Sequence, residues 1–127
     1  MASEASLALL NEKLAAKGKA PVGIERFRPN IVLAGIEAHD EDRIGVMRIA
    51  ADPEVQLKLV KPCPRCPIPT VDPATAEVDP VITDVLQAYR QDERVGGAVT
   101  FGMNAIVLQG IDQVLRVGQQ VTGDWNF

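Results

Sequence analysis

The chain has 127 residues, 46% hydrophobic and 24% charged, which is typical of one folded globular domain and too apolar for a disordered chain. Its formal charge of −4 argues against nucleic acid or an anionic membrane as a partner, because both favour a basic face. No apolar run approaches the roughly 18 residues of a membrane span, and the first residues do not resemble a signal peptide. We therefore predict a small, mildly acidic cytoplasmic domain.

The first part of the chain predicts a flexible tail, a helix, two strands and a polar connection, at residues 1–5, 6–17, 24–28, 31–35 and 39–43 in that order. The helix is expected because Leu7, Leu10 and Leu14 recur at helical spacing. The first strand is expected because apolar and charged residues alternate, and the second because its residues are all apolar or small. The acidic run of the connection is expected to be solvated.

The middle of the chain predicts two more strands, at 45–49 and 55–60, followed by a rigid loop at 61–80. This loop holds six of the nine prolines and both cysteines, which disfavours helix and central strand. Asp79 and Pro80 are a typical helix start, with the aspartate as the cap. We therefore expect a second helix that begins here.

The second helix is expected to end near residues 90–93, with an apolar face made by Val81, Val85, Leu86 and Tyr89. Strands are expected at 98–108 and 114–117, with a last short strand around Val121. Short strands broken by Gly and Pro, with two or three short helices, predict a mainly β fold. The most consistent architecture is a β-barrel with helical additions, of α+β character, as a single domain over residues 6–127.

The two cysteines, Cys63 and Cys66, form a single CxxC pair that several kinds of site could contain. A structural zinc site needs four ligands, whereas the chain offers this pair and the lone histidine His39. A thioredoxin-type pair begins a helix, which Pro69 disfavours here. One cysteine could instead be a thiolate ligand to a metal held mainly by a cofactor, or both could be structural thiols. The spacing leaves these alternatives open.

Three further segments carry polar groups that could bind ligands. Arg26, Arg28 and Asn30 would bind phosphate or carboxylate, or else mark a solvated strand edge. Asp72, ahead of a proline, is typical of a turn in which the carboxylate caps backbone amides. His39 stands in the acidic run, which we interpret as a solvated loop rather than a metal site.

Taken in chain order, these segments resemble the MOSC domain, named after the C-terminal domain of molybdenum cofactor sulfurases. The resemblance extends from about residue 6 to residue 121 and is most specific where a CxRC-x3-T-x-DP-x-T string follows an upstream RFRPN. The branch it resembles most is that of the amidoxime-reducing component, and it implies that the chain corresponds to the C-terminal part of those proteins. Ala76 stands where the family usually has glycine. The matching motifs are Leu10-Asn11, Leu14, Arg26 to Ile31, Glu41-Asp42, Cys63-x-Arg65-Cys66, Thr70-x-Asp72-Pro73-x-Thr75, Tyr89-Arg90, Phe101-Gly102 and Val117-Gly118.

The resemblance implies a role for particular residues. Cys66 would be the protein ligand to molybdenum, next to the dithiolene sulfurs of a pterin, and Cys63 would have no ligand role. The positions that would contact this molybdenum cofactor (molybdopterin) or shape its site are Arg28, Asn30, Thr70 and Asp72. A thiolate suits molybdenum and arginine suits the phosphate of the pterin.

The implied reaction is a two-electron reduction of an N-hydroxylated compound by oxygen-atom transfer, with electrons from an external ferredoxin or flavin reductase type of protein. One alternative is a sulfur carrier with a persulfide on Cys66, loaded by a cysteine desulfurase; pyridoxal phosphate would then belong to that partner. Another is a truncated, non-catalytic barrel that acts as an assembly subunit. Open sheet edges would favour pairing with a second copy of the chain.

Overall fold

A computed structural model describes residues 1–126 as seven strands and two helices. The strands are β1 (Ala2–Ser3), β2 (Val32–Leu33), β3 (Ile44–Ile49), β4 (Val55–Pro64), β5 (Gln91–Asp92), β6 (Ala98–Gln109) and β7 (Val121–Trp125), and the helices are α1 (Glu4–Ala16) and α2 (Val81–Tyr89). Short 3-10 turns lie at Ile24–Phe27, Asp40–Arg43, Ile68–Thr70 and Glu93–Val95. Neither helix is long and apolar enough to cross a membrane, a statement that covers residues 1–126. The prediction of a mainly β fold with helical additions is confirmed.

Five strands form one antiparallel sheet in the order β5-β6-β4-β3-β7. The expected closed barrel is not found within residues 1–126, where the sheet is open. Closure requires the two outermost strands to pair with each other. Here β5 pairs only with β6, through two residues, and β7 pairs only with β3, so both edges remain separate.

Two apolar cores pack against this sheet. The helices bury a cluster made of Ala2, Leu10, Leu14, Phe27, Ile82, Val85, Leu86 and Phe101. A second cluster covers the centre of the sheet and consists of Leu33, Ile44, Met47, Ile49, Val55, Leu57, Leu59 and Met103. The spacing of four between Leu10 and Leu14 places both on the buried face of α1, as the sequence predicted.

The start of the chain forms regular structure where a flexible tail was expected over residues 1–5, since β1 is Ala2–Ser3 and α1 begins at Glu4. Ala2 and Ser3 are fully buried and pair in parallel with β2. Met1 and Met103 exchange two backbone hydrogen bonds, of 2.7 Å and 2.9 Å. Gly102 allows this approach, because a Cβ there would lie 2.2 Å from the carbonyl oxygen of Met1.

Two predicted strands in the first part of the chain differ in the structure. The segment expected as a strand at 24–28 is a 3-10 turn that ends at Arg28, whose φ of +49° is incompatible with an extended strand. Only Phe27 of this turn is buried, and its ring stacks on Phe101 with 3.9 Å between centroids. The apolar run at 31–35 contributes only the two-residue strand β2.

The later elements largely follow the prediction, with two differences. Helix α2 and strands β3, β6 and β7 lie where they were expected. Strand β4 extends through Pro64, so Cys63 lies in a strand and not in the expected loop. The prolines are tolerated because the pairing with β6 is interrupted by register shifts. Residues 114–117, expected as a strand, have no regular structure and are exposed.

Candidate functional site

The two cysteines lie where β4 gives way to a loop. Cys63 is half-buried near the end of the strand, and Cys66 is exposed three residues later. Both thiols are free. Cys66 is followed by Pro67 and the 3-10 turn Ile68–Thr70, which makes this segment stiff. The Cys66 thiol is therefore presented to solvent from a constrained backbone.

The loop is held to the body of the protein by Arg65. Its backbone N donates to the carbonyl oxygen of Val99 at 2.8 Å. Its guanidinium donates through Nε and Nη2 to the carbonyl oxygen of Phe101, at 3.0 Å and 2.7 Å, and through Nη1 to that of Phe27 at 2.9 Å. Arg65 thus joins the cysteine loop to β6 and to the 24–27 turn.

Thr70 and Asp72, predicted to shape the site, bind the loop itself. Thr70 is buried, and its hydroxyl donates to the carbonyl oxygen of Pro67. Asp72 accepts from the backbone N of Ala74 at 2.8 Å, as expected for a turn-capping aspartate, and lies 3.6 Å from a guanidinium nitrogen of Arg26. Both side chains therefore fix the path of the chain after Cys66.

The two predicted cofactor-binding residues of the RFRPN segment lie at different cavities. Arg28 lines a cavity of about 600 Å³ together with Arg26 and with Ile68 and Val71 of the cysteine loop. Asn30 lines a separate cavity of about 570 Å³. Neither cavity is lined by Cys66. The structure therefore brings Arg28 to the loop that carries Cys66 and places Asn30 beside another cavity.

The arginines of this region differ in what they bind. Arg26 donates to the carbonyl oxygen of Pro69 at 3.3 Å and forms an ion pair with Asp72, so its charge is already paired within the protein. The segment is a turn and not a strand, in which alternate residues such as Arg26 and Arg28 would lie on one side. Arg28 is exposed and makes no side-chain hydrogen bond or ion pair within residues 1–126. Its guanidinium is therefore available to an anion in the cavity.

A buried carboxylate that the sequence analysis missed anchors the start of α1. Glu41 is fully buried, although its acidic run was expected to be solvated. Its Oε1 accepts from the backbone N of Ser3 at 3.2 Å and from the Ser6 hydroxyl at 2.7 Å, and its Oε2 accepts from the Ser3 hydroxyl at 3.0 Å. Ser3 is also the N-cap of α1. The sole signal for this role was the Glu41-Asp42 motif of the family resemblance.

His39 precedes the same turn and packs against aromatic rings. Its ring makes edge contacts with Tyr89 and Phe101, at centroid distances of 5.7 Å and 5.9 Å. Both ring nitrogens are buried without a partner within residues 1–126. Burial, aided by the charge of Arg90, lowers the pKa of His39 from 6.5 to about 4. His39 is therefore neutral at physiological pH.

The depressed pKa of His39 predicts a loss of stability in mild acid. Between pH 6.5 and about 4, the unfolded chain binds a proton that the folded chain does not, so the free energy of unfolding falls as pH falls. We expect a loss of about 1 kcal/mol by about pH 5, after allowing for screening of the partly exposed ring. Urea unfolding of the wild type and of His39→Gln at about pH 7 and pH 5 measures it. Equal losses in both proteins would contradict this assignment.

A metal at Cys66 would need most of its ligands from outside the chain. Within residues 1–126, no three His, Cys, Asp or Glu side chains come together as a metal-binding group. An exposed cysteine on a loop that also borders the cavity of the unpaired Arg28 fits a metal that a phosphate-bearing cofactor carries with its own ligands. The donor set of the chain is thus compatible with the molybdenum cofactor.

Comparisons with known proteins show the family of the chain. A family model described as "MOSC domain" matches residues 1–122. Mitochondrial amidoxime reducing component 2 of Rattus norvegicus is 45% identical over 91 residues, covering 69% of this chain and 24% of the relative. Mitochondrial amidoxime-reducing component 1 of Homo sapiens is 44% identical over 92 residues, covering 70% and 25%. Molybdenum cofactor sulfurase of Caenorhabditis briggsae is 34% identical over 80 residues, covering 63% and 10%.

The chain spans about a quarter of the length of the amidoxime-reducing relatives that it matches. The family model, in contrast, covers nearly all of its residues, including the cysteine loop, the RFRPN segment and Glu41. The chain therefore belongs to the MOSC domain family.

Proposed function

We propose that this MOSC domain binds the molybdenum cofactor, with Cys66 as the protein ligand to the metal. The observation that carries the proposal is the free, exposed thiol of Cys66 on a stiff loop that also borders the cavity of Arg28. A soft thiolate suits molybdenum, and an unpaired guanidinium suits the phosphate of the pterin. The name of one relative, molybdenum cofactor sulfurase, supports the same cofactor, and the names of the amidoxime-reducing components support a reductive reaction.

Different residues of the chain would have different roles in such a site. Cys66 would hold the metal, Arg28 would hold the phosphate, and Thr70 and Asp72 keep the connecting loop in shape. Asn30 offers a donor and an acceptor near the neighbouring cavity, which suits a polar edge of the pterin or a substrate. When bound, the cofactor supplies two-electron reduction with transfer of an oxygen atom.

The whole-protein activity that follows is reduction of N-hydroxylated compounds, as part of an oxotransfer reductase. Electrons would come from an external ferredoxin or flavin reductase type of protein, as the family resemblance implies. We propose a cytoplasmic location from the composition, although the relatives are named as mitochondrial.

Sulfur transfer is a second candidate function that the exposure of Cys66 favours. An exposed thiol can accept sulfur as a persulfide from a cysteine desulfurase, which would bring its own pyridoxal phosphate. The match to a molybdenum cofactor sulfurase supports this alternative. A third possibility is a non-catalytic assembly subunit, because the two edges of the open sheet could pair with other chains.

One preparation distinguishes the three functions. The chain is purified from a host that makes the cofactor, and molybdenum, pterin fluorescence and intact mass are measured on the same sample. We expect near-stoichiometric molybdenum with pterin. An added sulfur atom that reductant removes, without metal, would instead support the sulfur carrier, and a bare chain would support the assembly subunit.

A further inference from the structure

Arg65, which lies between the two cysteines, joins the cysteine loop to the 24–27 turn. We infer that Arg65 is a positioning residue that holds the Cys66 loop and the 24–27 turn in a fixed position relative to each other. Its guanidinium reaches the carbonyl oxygens of Phe27 and Phe101, which belong to the turn and to β6. These hydrogen bonds support the positioning role. That the role serves to hold a metal ligand rests on the proposed function.

The arrangement requires the fork of an arginine. Three N–H groups of one planar group reach two carbonyl oxygens, at 2.7 to 3.0 Å. The rings of Phe27 and Phe101 stack at 3.9 Å, which fixes the two residues relative to each other. The guanidinium carbon lies 5.3 Å from the centroid of the Phe27 ring. A lysine has neither the planar fork nor the reach to serve both carbonyls in the same way.

The guanidinium of Arg65 is half-buried, and no carboxylate pairs with it within residues 1–126. Its N–H groups donate instead to the two carbonyl oxygens. Arg65 therefore orients the cysteine loop against the 24–27 turn and β6.

Hydrogen exchange of the purified chain without cofactor tests whether Arg65 couples the two segments. Arg65→Gln removes the fork and the charge, and Arg65→Lys keeps the charge. Arg48→Gln is the matched control, because Arg48 pairs with Asp124 at an exposed site in the sheet. We expect exchange of residues 24–31 and 66–73 to increase about tenfold together in Arg65→Gln, as for one lost charge-assisted hydrogen bond. Arg65→Lys should give a smaller increase, and Arg48→Gln none in these segments.

Each result supports or overturns the inference. An increase confined to residues 66–73 would overturn the coupling between the two segments, and a lysine variant equal to the wild type would overturn the need for the fork. If Arg65→Gln does not fold, the same comparison is made with Arg65→Lys. In protein that carries metal, a changed visible absorption in Arg65→Lys supports positioning of the Cys66 sulfur, and an unchanged spectrum overturns it. The exchange result stands even if the wild type binds no metal, so the two proposals fail separately.

Discussion

Glu41→Ala is expected to lower the free energy of unfolding by about 3 kcal/mol, as a buried acceptor of several hydrogen bonds is lost. The carboxylate accepts hydrogen bonds from the backbone N and the hydroxyl of Ser3 and from the hydroxyl of Ser6. All three residues are fully buried, so water cannot replace the missing acceptor without a rearrangement. The change also weakens the N-cap of α1. The hydroxyl of Ser3 donates to Glu41 and accepts from the backbone N of Ser6, so the loss of Glu41 leaves the capping hydroxyl less well held.

Two matched variants make the Glu41 prediction specific. Glu41→Gln keeps one carbonyl acceptor of similar shape and should cost less than the alanine variant. Glu37→Ala removes an exposed glutamate from the same segment and should change the stability by less than about 0.5 kcal/mol. Urea unfolding of the three variants measures the differences. If Glu41→Ala is as stable as Glu37→Ala, the buried carboxylate does not anchor the helix.

The elements that the sequence predicted well are those that a local pattern determines. Leu10 and Leu14 share a helical face in α1, and the alternation of residues 55–60 matches the buried side of β4. The N-cap of α2 is Pro80, one residue after the expected Asp79, and the Asp79 carboxylate accepts from the backbone N of Val81 at 3.0 Å. Each of these signals lies within a few residues of the structure that it predicts.

The errors arise where distant residues decide the structure. Residues 24–28 alternate like a strand, but burial of Phe27 against Phe101 and the left-handed backbone of Arg28 make a turn there. Glu41 belongs to an acidic run, and the serines that bury it lie more than thirty residues earlier. Charge along the sequence cannot show such partners, because they come together only in the folded chain.

The candidate site was predicted in part. The turn after Cys66 was expected from Asp72, and the structure confirms that this aspartate caps a backbone amide, that of Ala74. Ala76, noted as a departure from the usual glycine, has a φ of +60°, a conformation that glycine adopts without strain. The role of Arg65 was missed, because its carbonyl partners on Phe27 and Phe101 carry no sequence signal.

Cys66→Ala is expected to abolish binding of molybdenum. The chain offers no cluster of His, Cys, Asp or Glu within residues 1–126 that could take over as ligands, so the metal loses its one protein donor. Cys63→Ala is the matched control, because Cys63 lies three residues away, is half-buried in β4 and has no ligand role in the proposal. Both variants should fold, since neither removes a hydrogen bond of the cores, which circular dichroism checks.

Whether Cys66 holds molybdenum is decided by the molybdenum content of the wild type, Cys66→Ala and Cys63→Ala, purified side by side from a host that makes the cofactor. We expect near-stoichiometric metal in the wild type and in Cys63→Ala, and background metal in Cys66→Ala. Equal metal in all three proteins would contradict Cys66 as the ligand. Background metal in the wild type would contradict the proposed cofactor itself.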